Sequence, residues 1–124
     1  MKKEKEILII DDDYKNIFAL SAVLKAKNFK CVSATSAQEG LTMLSTNPQI
    51  GTVLMDMMMP EMDGYEAIGQ IKKNPDLQRI PVISITAQAM AGDREKCLAA
   101  GADGYISKPV NVDELLQLLH QFDL

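Results

Sequence analysis

Short apolar runs that stop at polar residues alternate with segments of helical period along the whole chain, and this alternation leaves few folds open. Ile7-Leu8-Ile9-Ile10 is apolar on every side and too short for a helix, as a buried parallel strand is. It breaks off at Asp11, Asp12 and Asp13. The period then changes: Ile17, Leu20 and Leu24 make one helical stripe between Tyr14 and Lys27. Cys31-Val32-Ser33-Ala34 predicts a weaker second strand, and Thr52-Val53-Leu54-Met55 a third that stops at Asp56. Residues 80–85, with Pro81 near the start, predict a fourth, and Gly104-Tyr105-Ile106-Ser107 a short fifth.

Helix starts are written just as locally. Ser36 with Glu39, Asp63 with Glu66, and Asn111 with Glu114 each have capping-box spacing, in which two side chains satisfy each other's free backbone N–H groups. Asp13 reads as the N-cap of the first helix. A fourth helix is expected over about residues 88–100, closed by Gly101 in a left-handed cap. Five strand–helix units with short connections predict an α/β fold, a parallel sheet with helices on both faces. A closed barrel needs about eight units, so the sheet should be open and doubly wound. No linker or repeat interrupts residues 1–124, which are expected to form a single domain.

In such a sheet, chemistry gathers at the carboxyl ends of the strands. Those ends hold Asp11, Asp12 and Asp13, then Asp56, then Thr86 and Ala87, then Lys108 and Pro109. Carboxylates from neighbouring strands repel unless a cation stands between them, and a hard divalent ion such as Mg²⁺ suits oxygen donors. Lys108 offers a fixed positive charge and Thr86 a hydroxyl. A carboxylate nucleophile, a divalent ion, an ammonium and a hydroxyl together suit phosphoryl transfer to aspartate.

Four separated stretches carry a resemblance: residues 8–13 (Leu-Ile-Ile-Asp-Asp-Asp), 54–64 (Leu-Met-Asp-Met-Met-Met-Pro-Glu-Met-Asp-Gly), 83–87 (Ile-Ser-Ile-Thr-Ala) and 105–109 (Tyr-Ile-Ser-Lys-Pro). Over essentially its whole length the chain resembles the receiver domain of two-component response regulators. Residues 16–20 and 89–97 are closer to receivers attached to hybrid sensor histidine kinases. The resemblance implies the flavodoxin-like strand order 2-1-3-4-5. It implies Asp56 as phosphoacceptor, and Mg²⁺ or Mn²⁺ held by Asp11, Asp12, Asp56 and the backbone carbonyl of Met58. It implies Lys108 as the phosphoryl contact, joined to Pro109 by a cis bond. Thr86 and Tyr105 would be the switch pair, small Ala87 would leave the phosphoryl group access, and the fourth helix, fifth strand and fifth helix would form the responsive face. The donor would be a phosphohistidine on a sensor histidine kinase or histidine phosphotransfer protein, and the readout a downstream effector protein. Phosphorylation-dependent dimerisation is compatible with this and not required by it. Met58 and Gln88 stand where polar family members position a hydrolytic water. Met58 cannot, so the phosphoryl group should be long-lived.

Composition narrows the alternatives. A net charge of −4 with scattered basic residues argues against direct nucleic-acid binding. No apolar run approaches the ~20 residues of a membrane span, and no secretory signal is visible, which makes a cytoplasmic setting the expectation. Cys31 and Cys97 belong to no metal or redox spacing and are expected as buried free thiols. His120, the sole histidine, falls in the last turn of an amphipathic helix, where an exposed cation suits the helix dipole. A haloacid-dehalogenase-type aspartyl-phosphate phosphatase would want Thr or Val where Lys15 stands, and a second acid where Met58 stands. A flavodoxin-type electron carrier would place a phosphate against three aspartates. A degenerate receiver used only for docking would not need its five key side chains intact.

Overall fold

The computed structural model describes residues 5–57, 64–86 and 92–122. Strands and helices alternate in the order β1 (Glu6–Ile10), α1 (Tyr14–Ala26), β2 (Lys30–Ala34), α2 (Ala37–Thr46), β3 (Ile50–Asp56), α3 (Gly64–Lys73), β4 (Val82–Thr86), α4 (Asp93–Ala100), β5 (Gly104–Ser107) and α5 (Val112–Gln121). The strands form one parallel sheet in the order β2-β1-β3-β4-β5. This is the open, doubly wound flavodoxin-like arrangement, with the sequence running outward from β1 in both directions.

The central strands are apolar on both faces because both faces are covered. Ile7 and Ile9 of β1 join Leu54, Ile83, Ile85 and Ile106 under α1 and α5. Leu8 and Ile10 join Val53, Met55 and Val82 under α2, α3 and α4. Full burial of each such side chain contributes about 1.5–3 kcal/mol. The stripe of α1 buries Ile17 and Leu24, while Tyr14 and Phe18 lie off it and are 74% and 78% exposed.

Caps follow the local code with one displacement. Asp13 accepts from the N–H of Lys15 at 2.8 Å and starts α1. Ser36 Oγ accepts from Glu39 N at 3.1 Å, but the Glu39 carboxylate returns to the N–H of Thr35 at 3.0 Å, one residue before the expected partner. Asn111 Oδ1 accepts from Glu114 N at 3.0 Å. Gly101 closes α4 at φ 117°, a conformation open to glycine and strained for other residues. The box expected at Asp63, and the expected first residues of α4 from Gln88, lie outside the described residues.

Two strand limits differ from expectation. β3 begins at Ile50 because Glu6 pairs with Ile50 across a register shift before Ile7. β4 begins at Val82 and not at residue 80, because the Ile80 N–H closes a turn onto Leu77 while the Pro81 carbonyl receives Val53 N. Cys97 is buried as expected, but Cys31 is only half-buried, since β2 is an edge strand with β1 as its one strand neighbour. Even so, burial pushes the Cys31 thiol above its ordinary range, with Lys25 opposing. Among the described residues no helix is long and apolar enough to cross a membrane.

Candidate functional site

Parallel pairing continues one residue past several strands and fixes the strand ends against each other. Asp11 N donates to Ala34 O at 3.1 Å, Met57 N to Ile85 O at 3.0 Å and Lys108 N to Thr86 O at 2.8 Å. Residues from β1, β3, β4 and β5 therefore meet at one rim. The peptide bond after Lys108 is cis, as the resemblance implies.

At this rim Asp11, Asp12 and Asp56 each turn a carboxylate oxygen inward, all within 4.8 Å of one another. Asp11 and Asp56 are 3% and 4% exposed, whereas Asp12 faces solvent. The Lys108 ammonium stands 3.7 Å from Asp56 Oδ1 and 3.8 Å from Asp11 Oδ2. These are ion-pair distances, too long for good hydrogen bonds, so the ammonium is attracted to both carboxylates and tightly held by neither. Burial pushes the Asp11 carboxyl above the ordinary carboxylate range, and Asp56 adds to the rise; the N–H of Asp13, Lys108 and an Asn16 hydrogen bond oppose it.

Among the described residues charge at the rim is unbalanced, with three carboxylates facing one ammonium. Oxygen donors that converge from two strands, one of them open to water, fit a hard octahedral cation that keeps some of its own waters. Buried carboxylates of this kind are costly when nothing sits between them.

Thr86 ends β4 on the same rim and is buried, 1% exposed. Tyr105 lies on the neighbouring β5 and is half-buried against the α2–α3–α4 core. Met58, Ala87 and Gln88 lie outside the described residues. Asp13 does not join the carboxylate group, because its side chain caps α1. This removes the second acid that an Asp-x-Asp phosphatase reading needs. His120 is exposed in the last turn of α5, in keeping with its expected place.

Two residues of the site were not singled out from sequence. Asn16, in the first turn of α1, lies beside Asp11 and lines with it a cavity of about 510 Å³ next to Lys108 and Val110. Its signal was its place three residues after the Asp13 cap, where a helix side chain faces back to the strand end. Gly64, which opens α3, is the other. A Cβ there would stand 2.9 Å from Met57 Cα, so only glycine lets the helix approach the residue that follows Asp56.

Residues 7–120 match the family model of the response regulator receiver domain. The polar-differentiation response regulator DivK of Brucella ovis is 30% identical over 118 residues, with 95% of each chain covered. The receiver domain of the sensor histidine kinase PA1611 of Pseudomonas aeruginosa, solved with a magnesium ion coordinated in the active-site cleft, is 30% identical with a TM-score of 0.85, covering 97% of this chain and 98% of that one. The receiver domain of a signal transduction histidine kinase of Syntrophus aciditrophicus is 30% identical with a TM-score of 0.86, covering 95% and 89%.

Proposed function

The chain belongs to the response regulator receiver domain family, the phosphoacceptor signalling domains of two-component systems, and from that premise we propose that Asp56 accepts a phosphoryl group and drives a change at the Thr86–Tyr105 side of the molecule. The observation that carries this reading is the convergence of Asp11, Asp12 and Asp56 oxygens within 4.8 Å, with Lys108 3.7 Å from Asp56.

Asp11, Asp12 and Asp56 would hold Mg²⁺ or Mn²⁺, together with the Met58 carbonyl that the family pattern names. A bound divalent ion supplies charge neutralisation for the phosphoryl oxygens. An Asp56 carboxylate oxygen forms the new P–O bond as the P–N bond of the donor phosphohistidine breaks, and the electron pair leaves with the imidazole. Asp56 is held almost dry, which strengthens every charge interaction around the transferring group. Lys108 is free to move from its loose position between two carboxylates onto a phosphoryl oxygen. Thr86 follows from β4 with its hydroxyl, and Tyr105 turns into the space it leaves. The fourth helix, β5 and α5 then form the responsive face.

The phosphodonor is a sensor histidine kinase or a histidine phosphotransfer protein, and the recipient of the signal a downstream effector. The domain acts as a switch in the cytoplasm, assisting its own phosphorylation without turning over an external substrate. Residues 1–124 work as one receiver unit. Met58 offers no hydrogen bond to a hydrolytic water, so the acyl phosphate persists for minutes or longer, with Gln88 compensating in part.

The test is phosphoryl incorporation from a panel of phosphorylated kinases and from acetyl phosphate, with and without Mg²⁺. Incorporation that needs Mg²⁺ and is absent from Asp56→Asn is the expected result. A wild-type protein that takes no phosphoryl group from any donor leaves only the docking-module reading, and a phosphoryl half-life of seconds removes the proposal about Met58.

A further inference from the structure

The α2–α3–α4 side of the sheet is mostly apolar. Ser84, third residue of β4, is fully buried, and its Oγ has no hydrogen-bond partner among the described residues. Buried hydroxyls are almost always paired, and alanine in this place would carry no such penalty. An unpaired group in a native core deserves a physical reason, and a second arrangement in which it is paired supplies one.

The register limits which group that is. Ser84 pairs with Met55 on β3 and with Tyr105 on β5, and in parallel pairing such partners share a face. Met55 brings no useful donor. Thr86 lies on the same face, one step nearer the rim, and on the proposed reading it moves away from Ser84 towards the phosphoryl group. Cys97 and Tyr65 pack on this side too, where the Cys97 thiol donates to the Tyr65 hydroxyl at 3.9 Å. Tyr105 starts level with Ser84 on the adjoining strand. Strands lie about 4.8 Å apart, less than the length of a tyrosine side chain, so a phenol laid inward across β4 comes over Ser84.

We propose that Ser84 is a positioning residue for the switch, whose Oγ receives the Tyr105 hydroxyl when Tyr105 turns inward. The resting arrangement then carries an unpaired buried hydroxyl that the switched arrangement satisfies, and the equilibrium between them is biased accordingly. The inference rests on the reading of Tyr105 as the switch residue. One neutral hydrogen bond shifts such an equilibrium by about twofold to tenfold. By linkage, the same factor enters the affinity for whatever occupies the phosphoryl position.

The full chain, with its three tyrosines replaced by 3-fluorotyrosine, is followed by ¹⁹F NMR with Mg²⁺ and with beryllofluoride as the phosphoryl stand-in. Tyr105→Phe assigns the Tyr105 signal. In the wild type, loading moves that signal. In Ser84→Ala the switched-to-resting ratio and the apparent beryllofluoride affinity both fall about twofold to tenfold, while the thermal midpoint stays level or rises. Ser84→Thr, which keeps the hydroxyl, restores the ratio. In a Tyr105→Phe background Ser84→Ala leaves the affinity unchanged, an outcome that a merely structural role would not produce. A ratio and affinity in Ser84→Ala equal to wild type, or the same weakening in both backgrounds, overturns the inference while the proposed function stands. A wild-type Tyr105 signal that does not move on loading overturns both.

Discussion

Two lysine–aspartate pairs mark the two ends of the sheet, and they are built to opposite specifications. At the amino end Lys72 donates to Asp103 Oδ2 at 2.8 Å and also to the carbonyls of Ile80 and Gln78 at 3.0 and 3.2 Å. The same Asp103 oxygen receives Val82 N at 2.9 Å, at the start of β4. Every hydrogen of that ammonium has a partner. At the carboxyl end Lys108 stands 3.7 and 3.8 Å from Asp56 and Asp11, short of a good hydrogen bond to either. The first pair closes a loop against the sheet. The second holds its ammonium near two carboxylates without a short hydrogen bond to either, which suits a ligand-accepting site. An ion pair's role is thus legible in how fully it is satisfied.

Substituting one partner at each end tests that contrast most sharply. Asp56→Asn brings phosphoryl incorporation to background, and Lys108→Ala lowers its rate by on the order of 10²-fold or more. Asp56→Asn leaves the urea unfolding free energy level with wild type or above it, because it removes one of the crowded buried carboxylates. Lys72→Ala does the reverse: it costs about 1 kcal/mol in urea unfolding, by removing one part-buried and two exposed hydrogen bonds, and leaves the incorporation rate unchanged. Equal losses of incorporation in the two lysine variants would erase the distinction.

Metal provides the next test. Mg²⁺ at about a hundred times its dissociation constant stabilises the fold by about 2.7 kcal/mol if the carboxyl end binds it and the unfolded chain does not. The thermal midpoint reads this directly. Asp11→Asn abolishes most of the gain, and without metal it is itself more stable than wild type, because burial and Asp56 both oppose the charge at Asp11. Asp103→Asn leaves the Mg²⁺ response intact. The smallest effect falls on Asn16→Ala, which weakens Mg²⁺ by no more than about tenfold, measured by titration, through loss of a polar neighbour of Asp11.

The carboxyl end was largely readable from sequence, and the amino end was not. Strand ends announce themselves where an apolar run meets Asp11, Asp56, Thr86 or Lys108, since the change in polarity and the end of the strand are one event. Lys72 and Asp103 carry no such sign: one sits in the last turn of a helix, the other in a turn before β5, and their meeting depends on tertiary geometry. The same holds for finer points. Glu39 reaches Thr35 and not Ser36 because a flexible carboxylate selects the nearest free N–H, and no spacing rule encodes that one-residue choice. Cys31 stays half-exposed because its strand lies at the edge, a fact of strand order and not of its own neighbours in sequence. Ser84 reads as an ordinary strand residue until the register shows what faces it.

The strand order has a consequence for the chain as it is made. Asp11 and Asp56 come from the first and third strands, which are neighbours in the sheet, while Lys108 follows the fifth, which enters at the far edge. Synthesis runs from the amino terminus, so the acidic groups exist before their counter-charge does. A nascent chain that has docked β1 against β3 holds two carboxylates side by side with no ammonium between them. On the proposed reading it lacks the ammonium that would contact the phosphoryl group. On that reading, competence to be phosphorylated arrives only with β5.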